Sequence, residues 1–159
     1  MAVREILLFG NETLRQRSEE VTEFNEELWT LLDDMYDTMT EANGIGLAAP
    51  QIGVLKRVVV IDVDDDNGII ELVNPVITLM RGKQFEDEGC LSCPGKSGVV
   101  KRPMKVKVKA KNRYGRPVEY TGRELLARAF CHEIDHLNGI LYADKVIEWT
   151  QDTQEETEE

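Results

Sequence analysis

Long apolar runs are missing from this chain. Its longest aliphatic stretches, such as Val58 to Ile61, fall far short of the roughly 20 residues a membrane-spanning helix requires. The short run Ile6 to Phe9 near the start has no small-residue cleavage pattern after it, so no signal peptide is expected and the protein is read as cytoplasmic. Basic charge is scarce as well. Nineteen Lys and Arg stand against 30 Asp and Glu, a net charge of −11, which disfavours attraction to phosphate backbones and anionic lipid. Neither nucleic acid nor a membrane is an expected partner. Cysteine is limited to Cys90, Cys93 and Cys131; an odd count without a secretory signal argues against a disulfide framework and gives weight to metal binding or plain burial. Linkers and repeats are absent too, so one domain is expected over residues 1–150. The segment 151–159 carries five acids and no base, and it is expected to be a disordered acidic tail.

What remains is 159 residues, 42% hydrophobic, enough for one real core. Leu28, Leu31, Leu32, Met35 and Met39 recur at helical spacing, which predicts a long amphipathic helix from Asn25 to Asn43. Asn25 serves as its N-cap, and Asn43-Gly44 supplies a left-handed stop. Arg57 to Asp64 reads as a buried strand running into an Asp-rich turn, and Ile69 to Val73 as a second strand. That turn lacks the Gly and the bidentate Glu of a calcium loop at their required places, so a solvated turn is expected. From Met104 to Lys111, lysines alternate with Val106, Val108 and Ala110, a strand with one wet face, and Tyr114-Gly115 folds it into a hairpin. Thr121 and Glu124 have capping-box spacing, so a helix is expected from about Gly122 to Asn138-Gly139.

The only two histidines lie on that last helix, in His132-Glu133-Ile134-Asp135-His136. Residues four apart share a helix face, so both imidazoles can hold one divalent ion, with Glu133 beside the water that such an ion activates. Two packed or capping histidines are the plainer alternative; the intervening Glu and the helical context argue against it. A catalytic divalent site wants three protein ligands and an open position. A third histidine of the HExxHxxGxxH kind is excluded because its place is taken by Tyr142. Glu148 is the acidic candidate, in weak helical context. A thiolate suits a borderline-soft ion better, and either Cys90 or Cys93 could complete the set.

Three segments together, Gly44-Ile-Gly-Leu-Ala-Ala-Pro-Gln51, Glu88-Gly-Cys-Leu-Ser92 and His132-Glu-Ile-Asp-His136, resemble the signature motifs of bacterial peptide deformylases in content and order. The resemblance covers the chain to about residue 148. It implies an α+β fold of antiparallel β-sheets around a central helix carrying the HExDH motif, with the long N-terminal amphipathic helix packed outside. It implies Cys90, His132 and His136 as metal ligands, Glu133 as general acid and base, and Gln51 and the Leu91 backbone N–H as oxyanion donors. Ile45, Gly46, Gly89, Leu125 and Ala129 become candidate substrate contacts, and Glu88 and Arg102 a brace for the ligand loop. Cys93 and Cys131 are then buried thiols, and Arg128, near the expected pocket rim, could pair with a peptide terminus or face solvent, the second being the expectation.

The implied cofactor is one divalent ion, iron(II) first, with zinc, nickel or cobalt suited to the same donors. The implied substrate is the formyl-methionine end of nascent peptides, met by a monomer in transient contact with the ribosome. Some relatives make that contact through a basic C-terminal helix, whereas this C-terminus is acidic. Three rival readings are an HExxH endopeptidase, a closed structural metal module, and a cysteine hydrolase using Cys90 as nucleophile.

Overall fold

The computed structural model describes residues 2–152. Asn25 caps helix α1 (Glu26–Glu41), its side chain accepting the Leu28 N–H at 3.2 Å, and Glu26 and Glu27 sit at the positive end of the dipole. Asn43 ends the helix in the left-handed region at φ 57°. Five antiparallel strands form the larger sheet: β1 (Gly46–Ala48), β2 (Val58–Ile61), β3 (Ile70–Arg81), then β6 (Lys105–Lys111) and β7 (Pro117–Arg123), in the order β1-β2-β3-β6-β7. A smaller antiparallel sheet has the order β4-β5-β8, from β4 (Gln84–Cys90), β5 (Cys93–Arg102) and β8 (Val146–Asp152). Helix α2 spans Leu125–Leu137. Two helices and antiparallel sheets make the α+β class.

The uninterrupted Val58–Ile61 run has a physical reason. Alternate residues of β2 face opposite ways, and both faces are covered: Val59 and Ile61 join α2, while Val58 and Val60 join α1. On α2, Leu126, Phe130, Ile134 and Leu137 pack against Ile70, Leu72, Val106 and Val108. Leu28, Leu31, Leu32, Met35 and Met39 of α1 cover the other face together with Leu47 and Val73. In β6 the valines are buried, while Lys109 and Lys111 are exposed. Burying α2 on one side of the sheet leaves its histidine stripe for the smaller sheet.

Two expectations are corrected here. Thr121 does not cap α2: residues 121–123 stay in β7, where Thr121 faces Lys107 and Arg123 faces Lys105 in register. The ladder outcompetes a local capping pattern, and the chain turns instead at Glu124, with φ 52° and no side-chain cap. Gly122 lets the helix pack onto the strand, since a Cβ there would lie 2.8 Å from Leu126 Cγ and from Phe130 Cε2. The boundary after residue 150 also moves, because Gln151 and Asp152 pair with Ser97 and Lys96 in β8. The remaining tail residues, 153–159, expected to be disordered, lie outside the described residues. Among the described residues no helix is long and apolar enough to cross a membrane.

Helix α2 stops at Gly139, which has φ 74° and lies so close to the Arg15 backbone that a Cβ would fall 2.3 Å from the Arg15 carbonyl oxygen. Gly139→Ala therefore strains a backbone that cannot yield cheaply. We expect a loss of roughly 2–3 kcal/mol in urea unfolding; an unchanged midpoint would contradict this account of the helix end.

Candidate active site

Cys90 is the last residue of β4, at a two-residue turn that leads straight into β5. His132 and His136 stand one turn apart on α2 with ring centroids 5.1 Å apart. The three residues converge, each offering one ligand atom, all within 4.8 Å of one another. Cys90 Sγ lies 3.4 Å from His136 Nε2, and His132 Nδ1 lies 2.9 Å from Glu88 Oε1, which leaves its Nε2 for the cluster. The other two candidate ligands stand apart: Glu148 is on β8 opposite Val99, and Cys93 is on β5, outside the cluster. Tyr142, in the place of a third histidine, is buried and stacks on the His132 ring at 5.7 Å and 27°.

Glu88 carries much of the electrostatics. Arg102 grips both its oxygens at 2.8 and 2.9 Å, and donates a further bond to Asp135 at 2.8 Å. Burial opposes the charge of Glu88, yet hydrogen bonds from Arg102 and His132 outweigh it and bring its pKa down from 4.5 to about 2. A carboxylate behind a ligand histidine fixes the ring and raises its basicity. Burial likewise disfavours protonating His132, but Glu133, Cys90 and Glu88 together lift its pKa well above the ordinary value. Burial, with His132 and Arg102 nearby, pushes His136 well below it, leaving a neutral ring with its lone pair available. A thiol and two imidazoles fit a borderline-soft divalent cation.

Glu133 is buried beside this cluster, and its Oε1 has no hydrogen-bond partner. Burial is the main reason its pKa rises from 4.5 to about 7. The β1 backbone passes close by: a Cβ on Gly46 would lie 2.6 Å from Glu133 Oε2. Gln51, on a 3-10 turn over Ala49–Ile52, accepts the Ala48 N–H at 2.9 Å through Oε1. That contact sets its amide, which donates to Ser92 Oγ at 3.1 Å and approaches Cys90 Sγ at 3.5 Å. Leu91, in the turn after Cys90, leans on Gly44, where a Cβ would lie 2.6 Å from Leu91 Cδ1.

These groups line a cavity of about 410 Å³, and all the expected substrate contacts, Ile45, Gly46, Gly89, Leu125 and Ala129, line it too. Ile45 and Leu125 are 43% and 39% exposed, so the mouth presents apolar surface. Arg128 lies at the cavity, as its place near the rim implies, but it is half-buried, with its guanidinium donating to Gln84 Oε1 at 2.6 Å, which corrects the expectation of an arginine simply facing solvent. Asp135 is a residue that sequence reasoning missed. It sits off the histidine stripe, and its partners Arg102 and Lys145 come from distant segments, so no local pattern announces it.

An α+β fold in which a sheet cysteine meets a helical HExxH pair beside a buried carboxylate has the donor set of a metal-dependent hydrolase. Comparison with known proteins narrows the class. The sequence profile of the polypeptide deformylase family matches residues 3–152. Peptide deformylase of Acetivibrio thermocellus is 56% identical over 156 residues, 98% of this chain and 91% of that protein. Peptide deformylase of Alkaliphilus metalliredigens is 56% identical over 147 residues, 92% of this chain and 99% of that protein. Among solved structures, the Legionella pneumophila peptide deformylase superposes with a TM-score of 0.89 at 49% identity, covering 91% of this chain and 86% of that one. The Thermotoga maritima enzyme gives 0.88 at 39%, covering 92% and 99%. The chain belongs to the peptide deformylase family, whose activity is removal of the N-formyl group from nascent peptides.

The Glu88 linkage has a definite sign. Because its folded pKa is depressed, the stability it contributes is present above its unfolded pKa near 4.5 and drains away as pH falls toward about 2. Glu88→Gln is expected to cost about 3 kcal/mol at neutral pH, by leaving Arg102 undercompensated, and to flatten the stability slope over that acid range. Equilibrium unfolding at several pH values checks both; an unaltered acid slope would contradict the assignment.

Proposed function

We propose that Cys90, His132 and His136 hold the catalytic ion and that Glu133 moves the protons of deformylation, with Gln51 and Leu91 steadying the developing charge. The observation that carries this reading is the buried, unpartnered Glu133 Oε1 beside the Cys90, His132 and His136 cluster, in a cavity open to substrate. On these donors a divalent ion would supply Lewis acidity, which lowers the pKa of water toward about 7. Thiolate is a more electron-rich ligand than imidazole, which weakens that acidity and gives Glu133 more to do. Glu133 accepts a proton from the attacking water and returns it to the departing amine nitrogen, so formate and a free N-terminus leave together.

Attack on the formyl carbon puts negative charge on the formyl oxygen. The Gln51 amide, held from behind by Ala48, and the Leu91 N–H are the proposed donors to it, worth roughly 3–4 kcal/mol each. Ile45, Leu125 and Ala129 take the unbranched methionine side chain, and the Gly46 and Gly89 backbones the peptide. Iron(II) is the ion the family likeness favours, with zinc, nickel and cobalt matched to the same donors. The setting proposed with it is a cytoplasmic monomer in transient contact with the ribosome. Thirty acids against 19 bases disfavour any direct hold on nucleic acid.

Formate release from formyl-Met peptides, with acetyl-Met peptides as control, tests the reading. Glu133→Ala should lower turnover by about 10²–10⁴-fold while metal content stays at one ion per chain. Internal peptide cleavage would point to an endopeptidase, and retained activity in Glu133→Ala would remove the proposed base. Activity that survives chelation but not thiol alkylation would point to Cys90 as a nucleophile.

A further inference from the structure

Cys93 has no part in the site as described, yet it stands directly across from Cys90. The two are register partners where β4 turns into β5, with only Leu91 and Ser92 between them. Facing residues of an antiparallel pair share a side of the sheet. Here both cysteines line the one cavity and share a small apolar cluster with Tyr142. Facing Cα atoms lie about 4.5–5.5 Å apart, inside the roughly 4.4–6.8 Å span that a disulfide bridges. All three cysteines are without a disulfide in the structure. Cys131 differs from the pair, packed between α2 and the larger sheet with burial pushing its pKa up to about 11.

We infer that Cys90 and Cys93 form a peroxide-responsive dithiol, whose oxidation to a disulfide withdraws the sulfur ligand and releases the metal ion. Hydrogen peroxide, small enough to enter the cavity, is the oxidant. The Cys90 thiolate attacks it: an S–O bond forms, the O–O bond breaks, and hydroxide leaves, giving a sulfenic acid. Cys93 sulfur then attacks the Cys90 sulfur: the S–S bond forms, the S–O bond breaks, and water leaves carrying the Cys93 proton. The two sulfurs lose two electrons between them, and the peroxide is reduced to the level of water. What remains at the site is a pair of imidazoles, too few donors to retain the ion against competition. Cys93 also protects the enzyme, because it intercepts the sulfenic acid before further oxygen atoms are added irreversibly.

Release of the ion rests on the reading of Cys90 as a ligand, whereas formation of the bond does not, and the two are read separately. The metal-loaded full chain is treated with hydrogen peroxide, then analysed for thiols, peptide masses and bound metal. The expected result is a Cys90–Cys93 peptide pair lighter by two hydrogens, Cys131 alone still titrating as a thiol, and metal lost in step. Dithiothreitol with added metal restores both thiols and metal content. In Cys93→Val, which keeps the apolar packing, Cys90 should instead gain two or three oxygens that dithiothreitol does not remove. Wild-type protein with an over-oxidised Cys90 and an intact Cys93 thiol would overturn the proposal, as would a disulfide to Cys131. A Cys90–Cys93 disulfide with the metal still bound would overturn the release and the ligand reading together.

Discussion

Glu88 and Arg102 hold the site together from behind. The pair is buried, bidentate at 2.8 and 2.9 Å, and joins β4 to β5; through His132 and Asp135 the same two side chains grip α2 on its polar side. A buried ion pair repays its desolvation only when further hydrogen bonds satisfy its remaining groups, and here Asp135 takes a third Arg102 bond while His132 shares Glu88 Oε1. The pair therefore does two things with one set of bonds. It docks the smaller sheet on the helix, and it orients the imidazole that faces Cys90.

Everything reactive hangs from that junction. The apolar side of α2 is committed to the larger sheet, so its histidine stripe can meet only what the smaller sheet offers, and β4 offers Cys90 at its end. Gly46 and Gly44 bring the β1 segment in without side chains, one against Glu133 and the other against Leu91. A carboxylate left without a partner in such a crowded interior costs stability, and its pKa near 7 is the trace of that cost. In the proposed reaction that is where a proton must move.

Much of this was legible in the residues, for reasons that differ by element. Helix α1 and strand β6 each have one wet face, so their periods of 3.6 and 2 survive in the sequence. Strand β4 has neither a steady alternation nor an apolar run, its pattern being buried only at Gln84 and Glu88 and half-buried at Cys90, and β8 was hidden by the acidity of its end. The start of α2 misled because Thr121 and Glu124 satisfy a local rule that the β6–β7 ladder overrides. The histidines were readable from spacing alone. The choice between Cys90 and Cys93 was not, since only the turn between β4 and β5 decides which sulfur reaches the helix. The Arg102–Asp135 contact joins segments too far apart in the chain for any pattern to show, whereas the HExxHxxGxxH spacing did place Tyr142 beside the histidines without revealing that its ring stacks on His132.

In the proposed site one sulfur from β4 and two imidazoles from α2 bind a single ion and leave a position open. X-ray absorption at the edge of the bound metal counts these donors directly. One sulfur, two imidazole nitrogens and one exchangeable oxygen or nitrogen neighbour is the predicted shell. A shell with no sulfur, with two sulfurs, or with four protein donors would contradict the account.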